Sequence, residues 1–213
     1  VADEDLLHRW SALLAPHSAR PVDIEVAGRA VVARYAEPRR RYHTVEHLTE
    51  VLAALDGLLD LASDPLSVEL AAWFHDAVYD PAAHGGANEH ASAELASQVL
   101  NDLGVDDERI TEVARLIEMT AGHAAESGDT NGAVLADADL AILHAHPDRY
   151  ARYAVDVRAE YAHVDDDAWR AGRSALLTGF LARPRLFATD RVHVAFDDAA
   201  RRNLGWELVT LAG

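Results

Sequence analysis

Cysteine is absent from the 213 residues. That excludes a disulfide framework, a thiolate zinc site and a cysteine nucleophile, so any metal must be held by His, Asp or Glu. Such ligands suit Mn, Fe, Mg, Ni or Zn alike. Lysine is absent too, and all 19 basic residues are arginine. A biased composition accounts for this; a preference for the planar guanidinium fork at phosphate is the sharper reading. No apolar run approaches the roughly 20 residues that a membrane span needs. The opening VADEDLLHRW lacks the basic and apolar regions of a signal peptide, so a cytoplasmic protein is expected. No Gly-x-Ser-x-Gly elbow, no Gly-x-x-x-x-Gly-Lys loop and no Gly-x-Gly-x-x-Gly run occurs.

Basic charge is scarce relative to acidic charge. The formal net charge of −17 argues against a nucleic acid duplex or an anionic membrane as partner. Arg39, Arg40 and Arg41 form the one short basic cluster. Half the chain is hydrophobic, enough for one sizeable core, and no repeat, linker or composition shift marks a domain boundary. One domain over 1–213 is expected, with the site in about 40–145 and C-terminal helices at 147–211 packing on it. A homodimer is compatible with this.

The hydrophobic pattern is helical almost throughout. Leu48, Val51, Leu52, Leu55, Leu58 and Leu59 recur at three- and four-residue steps and line one face. The spacing predicts helices near 3–15, 22–36, 44–61, 66–79, 88–103, 106–121, 131–144, 147–162, 165–181 and 196–211. An all-α bundle follows. Strand-like alternation is weak, and only Ile24–Val32 invites the question. All seven prolines fall at or near proposed breaks. Thr44 is placed to cap the third helix and Asn88 the fifth, with Glu89 favouring the helix dipole. The polar loops Pro81–Ala87 and Ala124–Gly132 are candidates to surround a site.

Three segments carry possible chemistry. In Arg41–His47, His43 and His47 are four apart, which on a helix puts them about 6 Å apart on one face. They could be two ligands, or a ligand and a substrate contact. In Ala71–Asp80, the pair His75–Asp76 ends an apolar helix beside Trp73 and Phe74, a costly placement unless the pair meets a partner or a metal. Asp80 shares the face of Asp76 if that helix continues. In Val134–Leu143, Asp137 and Asp139 interrupt an apolar helix about 200° apart, so only one can face a given point. A salt bridge or a solvated face would explain either Asp equally well. His123 follows a helix end, where it could serve the last carbonyls. His84, His144, His146, His163 and His193 read as surface residues.

Together these segments resemble the HD superfamily of metal-dependent phosphohydrolases, an all-α family. Its ordered pattern is a His, a His–Asp doublet and a distant Asp. More narrowly, the chain resembles an uncharacterised branch of predicted metal-dependent HD phosphohydrolases. The matching strings are RYHTVEH, WFHDAVYDP, NEHASAELA, TAGH, LADADLAIL, VRAEYAHV, the Gly172–Arg173 pair, FLARPRLF and ARRNLGWEL. They span roughly residues 5–210. His90 and His144 depart from the branch's usual residues.

The resemblance implies one or two divalent metal ions held by His43, His75, Asp76 and Asp139. It favours Asp139 over Asp137, because the last motif reads Ala-Asp followed by an apolar residue. It implies hydrolysis of a small phosphorylated substrate, a nucleotide above all, by water whose pKa the metal lowers. Asp76 could bridge a second ion, completed by His47 or His123, which could alternatively contact substrate. Asp80 or Glu89 would orient water or move protons. Arg158 and Arg173 are candidate phosphate contacts. The same ligands would also serve an HD-type di-iron oxygenase. A non-catalytic module binding a nucleotide or a metal is the third reading.

Overall fold

The computed structural model describes residues 2–16 and 20–213. Among the described residues the chain forms ten α-helices and no strand. They are α1 (Ala2–Leu14), α2 (Pro21–Tyr35), α3 (Val45–Asp56), α4 (Pro65–Phe74), α5 (Ala87–Asp102), α6 (Asp107–Met119), α7 (Thr130–Asp139), α8 (Pro147–Glu160), α9 (Asp166–Ala182) and α10 (Asp190–Ala212). The questioned stretch 24–32 is helical, within α2. No helix among the described residues is long and apolar enough to cross a membrane.

Local chemistry sets many of the ends. Pro21, Pro65 and Pro147 each stand at the first helical position, where a missing N–H costs nothing. The Asp64, Asp106 and Asp129 carboxylates accept from backbone N–H groups in the first turns of α4, α6 and α7. Gly104, at φ 79°, lets the chain reverse between α5 and α6, and Val105 N–H returns to Leu100 O at 3.0 Å.

Two sequence-based caps differ. Thr44 occupies the N-cap position of α3, but its side chain makes no capping bond. The N-cap of α5 is Gly86, and Asn88 lies inside the helix, reaching back to the Asp80 backbone at 3.0 Å in both directions.

Helices α4 and α7 are buried on nearly every side, and α3 packs against both. Around them the α1–α2 hairpin closes one end. Trp10 meets Trp73 and Phe74 edge-on at 5.3 and 5.8 Å, and its indole N–H reaches Ile24 O at 2.8 Å. Full burial of side chains this large contributes roughly 1.5–3 kcal/mol each. Gly28 is required here: a Cβ would lie 2.5 Å from Trp10 Cδ1. One continuous core runs from Leu6 to Leu204. The C-terminal helices join it through α10, whose Asn203 side chain donates to Leu143 O and Ala145 O.

Three predicted helices stop early. The third ends at Asp56, with a separate 3₁₀ turn at Leu59–Leu61, and the seventh gives way to a 3₁₀ turn at Leu140–His144. The fourth ends at Phe74, not near 79. The reason is tertiary. Asp76 N–H leaves the helical ladder for the Tyr35 hydroxyl at 3.3 Å, and Arg40 takes the Asp76 and Ala77 carbonyls at 2.8 and 3.2 Å. Conversely α10 begins at Asp190, six residues before the predicted 196, because Thr189 caps Val192 N–H.

Candidate metal centre

The C-terminal ends of α4 and α7 converge beside the first turns of α3. Asp139 is the last residue of α7, His75 caps the end of α4, and His47 lies in α3. Helix C-termini carry partial negative charge, so two of them aimed at one place favour a cation. His47, His75 and Asp139 offer ligand atoms that all lie within 4.8 Å of one another. The two imidazole Nε2 atoms are 3.1 Å apart. Each stands 3.4 Å from Asp139 Oδ1. Asp76 Oδ2 is 3.2 Å from His75 Nε2 and 3.4 Å from His47 Nε2. His47 and His75 are buried, while Asp76 and Asp139 keep a small exposed edge.

The tautomers suit a cation. His75 Nδ1 faces the Ala72 carbonyl at 2.8 Å, which only accepts, so Nδ1 carries the proton and Nε2 offers its lone pair to the cluster. Without a cation, protons take its place. Burial alone would push His47 and His75 down, but the Asp76 and Asp139 carboxylates hold both above the usual histidine range. Burial would raise the two carboxyls, yet His75 and its histidine neighbours hold them well below theirs. A group of buried acids and imidazoles that demands positive charge fits a divalent ion.

No protein-family model, curated protein or solved structure matches this chain.

His43 precedes α3 rather than lying in it, and its Nε2 is 3.9 Å from Asp76 Oδ2. Its ring still stands beside His47, with centroids 5.6 Å apart. His123, in the left-handed region at φ 46°, donates from Nε2 to Asp139 Oδ2 at 2.7 Å, so it orients that carboxylate. The geometry thus differs from the expected ligand set in giving His47 a more central place than His43. Asp137 points the other way. It accepts from Ala188 N–H, Thr189 N–H and Thr189 Oγ1 at 2.6, 2.8 and 2.6 Å, fastening the segment that leads into α10.

Other expected site residues lie elsewhere or are already engaged. Asp80 is exposed and does not line the cavity at the site, because α4 has ended before it; its carboxylate accepts from Ala82 N–H. Glu89 does line that cavity, with the loop residues Ala83–Ala87. Arg158 closes the end of α8 by donating to Tyr161 O and Val164 O, and pairs with Asp166 at 2.8 Å. Arg173 lines the cavity but is bound to Glu207 at 2.7 Å and to the Tyr153 hydroxyl at 3.0 Å. Two of the five histidines read as surface residues are half-buried. His144 stacks on Phe196 at 4.1 Å, where burial lowers its pKa, and His193 meets Asp197 at 3.1 Å.

Sequence reasoning missed two residues that build the site. Arg40, read only as part of a basic cluster, is buried. It donates to His43 O and Asp76 O at 3.0 and 2.8 Å and so clamps the His43 and Asp76 segments together. Glu160 was visible only as one letter of VRAEYAHV. Its Oε1 accepts from the backbone N–H groups of Arg41, Tyr42 and His43, and its Oε2 meets His43 Nδ1 at 2.7 Å. Burial would raise Glu160, but the bonds to His43 and these N–H groups lower it to about 2 from 4.5.

That depression has a measurable consequence. A depressed acid contributes stability above its unfolded pKa and loses it as pH falls toward the folded value. Wild type is expected to outlast Glu160→Gln in thermal melts at pH 7, with the difference shrinking from about pH 4.5 downward. A constant difference between pH 7 and pH 3 would contradict this.

Proposed function

We propose that this chain is a divalent-metal-dependent phosphohydrolase of the HD superfamily, acting on a small phosphorylated molecule. The observation that carries the reading is the convergence of His47, His75 and Asp139 within 4.8 Å, at two helix C-termini and beside Asp76. His43, His47, His75, Asp76 and Asp139 would hold one or two ions of Mn, Fe, Mg, Ni or Zn. When bound, a divalent ion supplies Lewis acidity at a phosphoryl oxygen and lowers the pKa of water.

The protein's own groups supply orientation. Ala72 O keeps His75 Nε2 unprotonated toward the cluster, Glu160 sets the His43 ring, and His123 steadies Asp139. Glu89, on the cavity wall outside the cluster, takes a proton from the attacking water and returns it to the leaving oxygen. The water oxygen bonds to phosphorus, the ester P–O bond breaks, and the products are an alcohol and phosphate.

The test pairs metal analysis with turnover. Protein purified without added metal should retain divalent ions. It should release phosphate from some member of a panel of phosphorylated compounds, and His75→Ala and Asp76→Ala should abolish that release. No turnover with Mn, Fe, Ni or Mg would sink the reading. Two irons per chain with oxygen consumption would replace it by the oxygenase, since His123 and His43 supply further imidazoles at the cluster. Stoichiometric ligand binding without turnover would replace it by a regulatory module.

A further inference from the structure

The cluster opens into a cavity of about 650 Å³, within the range of small-molecule sites. Its lining combines two chemistries. One set is polar: Asp76, Asp139, His43 and His123, with Glu89 on the wall contributed by α5. The set contributed by α8, α9 and their connection is aromatic and apolar: Tyr153, Val157, Tyr161, Trp169, Leu176 and Phe180.

Helix α9 packs against α10, and Trp169 and Phe180 also pack against the core, whereas Leu176 does not. Trp169, Leu176 and Phe180 lie at helical spacing along the cavity, and Leu176 is 50% exposed. Trp169 is braced rather than loose. Tyr161 stands 5.4 Å from it, and the Arg158 guanidinium lies 5.3 Å from its ring. An apolar side chain left facing an open cavity beside a charged cluster is a binding surface for an apolar group.

The charge balance is the second observation. Among the described residues Arg173 is the one arginine lining the cavity, and Glu207 neutralises it with both side chains only 5% exposed. Three carboxylates face the same space: Asp76, Asp139 and Glu89. A nucleoside di- or triphosphate would set several negative charges against this wall, where the lining arginine is already paired.

We infer that the cavity takes a phosphate monoester with an apolar, aromatic body. Its single phosphoryl group lies at the cluster and its ring against the surface formed by Trp169, Tyr161 and Leu176. This rests on the phosphohydrolase reading above and narrows its substrate from nucleotides in general to esters carrying one phosphoryl group on an apolar ring. Two rings offset or edge-on to an aromatic ligand supply affinity without hydrogen bonds, so the body needs no particular polar groups.

The test uses non-hydrolysable probes on metal-loaded protein, followed by calorimetry. (1-Naphthylmethyl)phosphonate should bind at least about tenfold tighter than an ATP analogue with methylene at both the α,β and β,γ bridges or than (2,3-dihydroxypropyl)phosphonate. Leu176→Asp, at a half-exposed position that the fold does not need, should weaken the naphthyl probe by about tenfold or more. Val209→Ala, exposed on α10 and outside the cavity, should leave its binding unchanged. Equal or tighter binding of the triphosphate analogue, or no effect of Leu176→Asp, overturns the inference.

Turnover separates it from the reading beneath it. If the phosphonate binds as stated but neither 1-naphthyl phosphate nor any other phosphorylated compound of the panel is hydrolysed, the hydrolase reading falls and the cavity assignment stands. If ATP is hydrolysed and 1-naphthyl phosphate is not, the assignment falls and the hydrolase stands.

Discussion

Arg173→Met should lower stability by about 3–5 kcal/mol, because it strands Glu207 in the interior. Arg173 donates to Glu207 through Nε and Nη2, at 2.7 and 3.1 Å, and both side chains are nearly fully buried. The Tyr150 hydroxyl also donates to Glu207 at 2.6 Å, and Tyr153 accepts from Arg173 at 3.0 Å. Removing the cation leaves one hydroxyl to satisfy a buried carboxylate. Burial and Glu207 together push the Tyr150 hydroxyl far above its usual pKa, so it stays protonated and remains a donor to the carboxylate.

The double change Arg173→Met with Glu207→Leu should recover most of the loss, since a matched apolar pair no longer buries charge. Thermal and urea unfolding measure both effects. A phosphate-contact role would give the opposite pattern: an unchanged melting temperature and weaker substrate binding. This network ties α8, α9 and α10 together, so the effect is expected on the cavity wall that α8 and α9 contribute.

The second large effect separates two aspartates two residues apart. Asp139→Asn should lower metal affinity by at least about 100-fold, the upper end of what loss of an outer partner costs, because it removes the carboxylate itself. Its fold should survive, since asparagine keeps the shape and an oxygen for His123. Asp137→Ala should leave metal content near wild type and cost about 2–4 kcal/mol of stability. It orphans Ala188 N–H and Thr189 N–H at the entry to α10. Elemental analysis and melting curves on the two variants give a double dissociation. Loss of metal in Asp137→Ala with retention in Asp139→Asn would reverse the assignment.

How far the sequence could carry these conclusions depended on the range of the forces involved. The ten helices were readable because each has a local cause: apolar residues at three- and four-residue steps, prolines at first turns, and an Asp ahead of α4, α6 and α7. Where a helix stops for a local reason, as α5 does before Gly104, the reading came within a residue or so. Where the cause is distant, it missed. The end of α4 depends on Tyr35 and Arg40, some forty residues away in sequence and adjacent in space, so the predicted continuation through Asp80 had nothing local to stop it.

The same division runs through the site. Sequence alone determined the helical class, the exclusion of thiolate chemistry, and the polar residues set against apolar helix ends at His75, Asp76 and Asp139. Tertiary structure decided which of them share a point. It moved His47 to the centre, turned Asp137 away toward Thr189, drew Asp80 out of the cavity and committed Arg158 and Arg173 to helix ends and a buried acid. It also brought in Glu160 and Arg40, whose importance has no local signature. Spacing along a helix tells which side chains share a face. A metal centre is a meeting of several helix ends, and only the packing of α3, α4 and α7 sets where those ends meet.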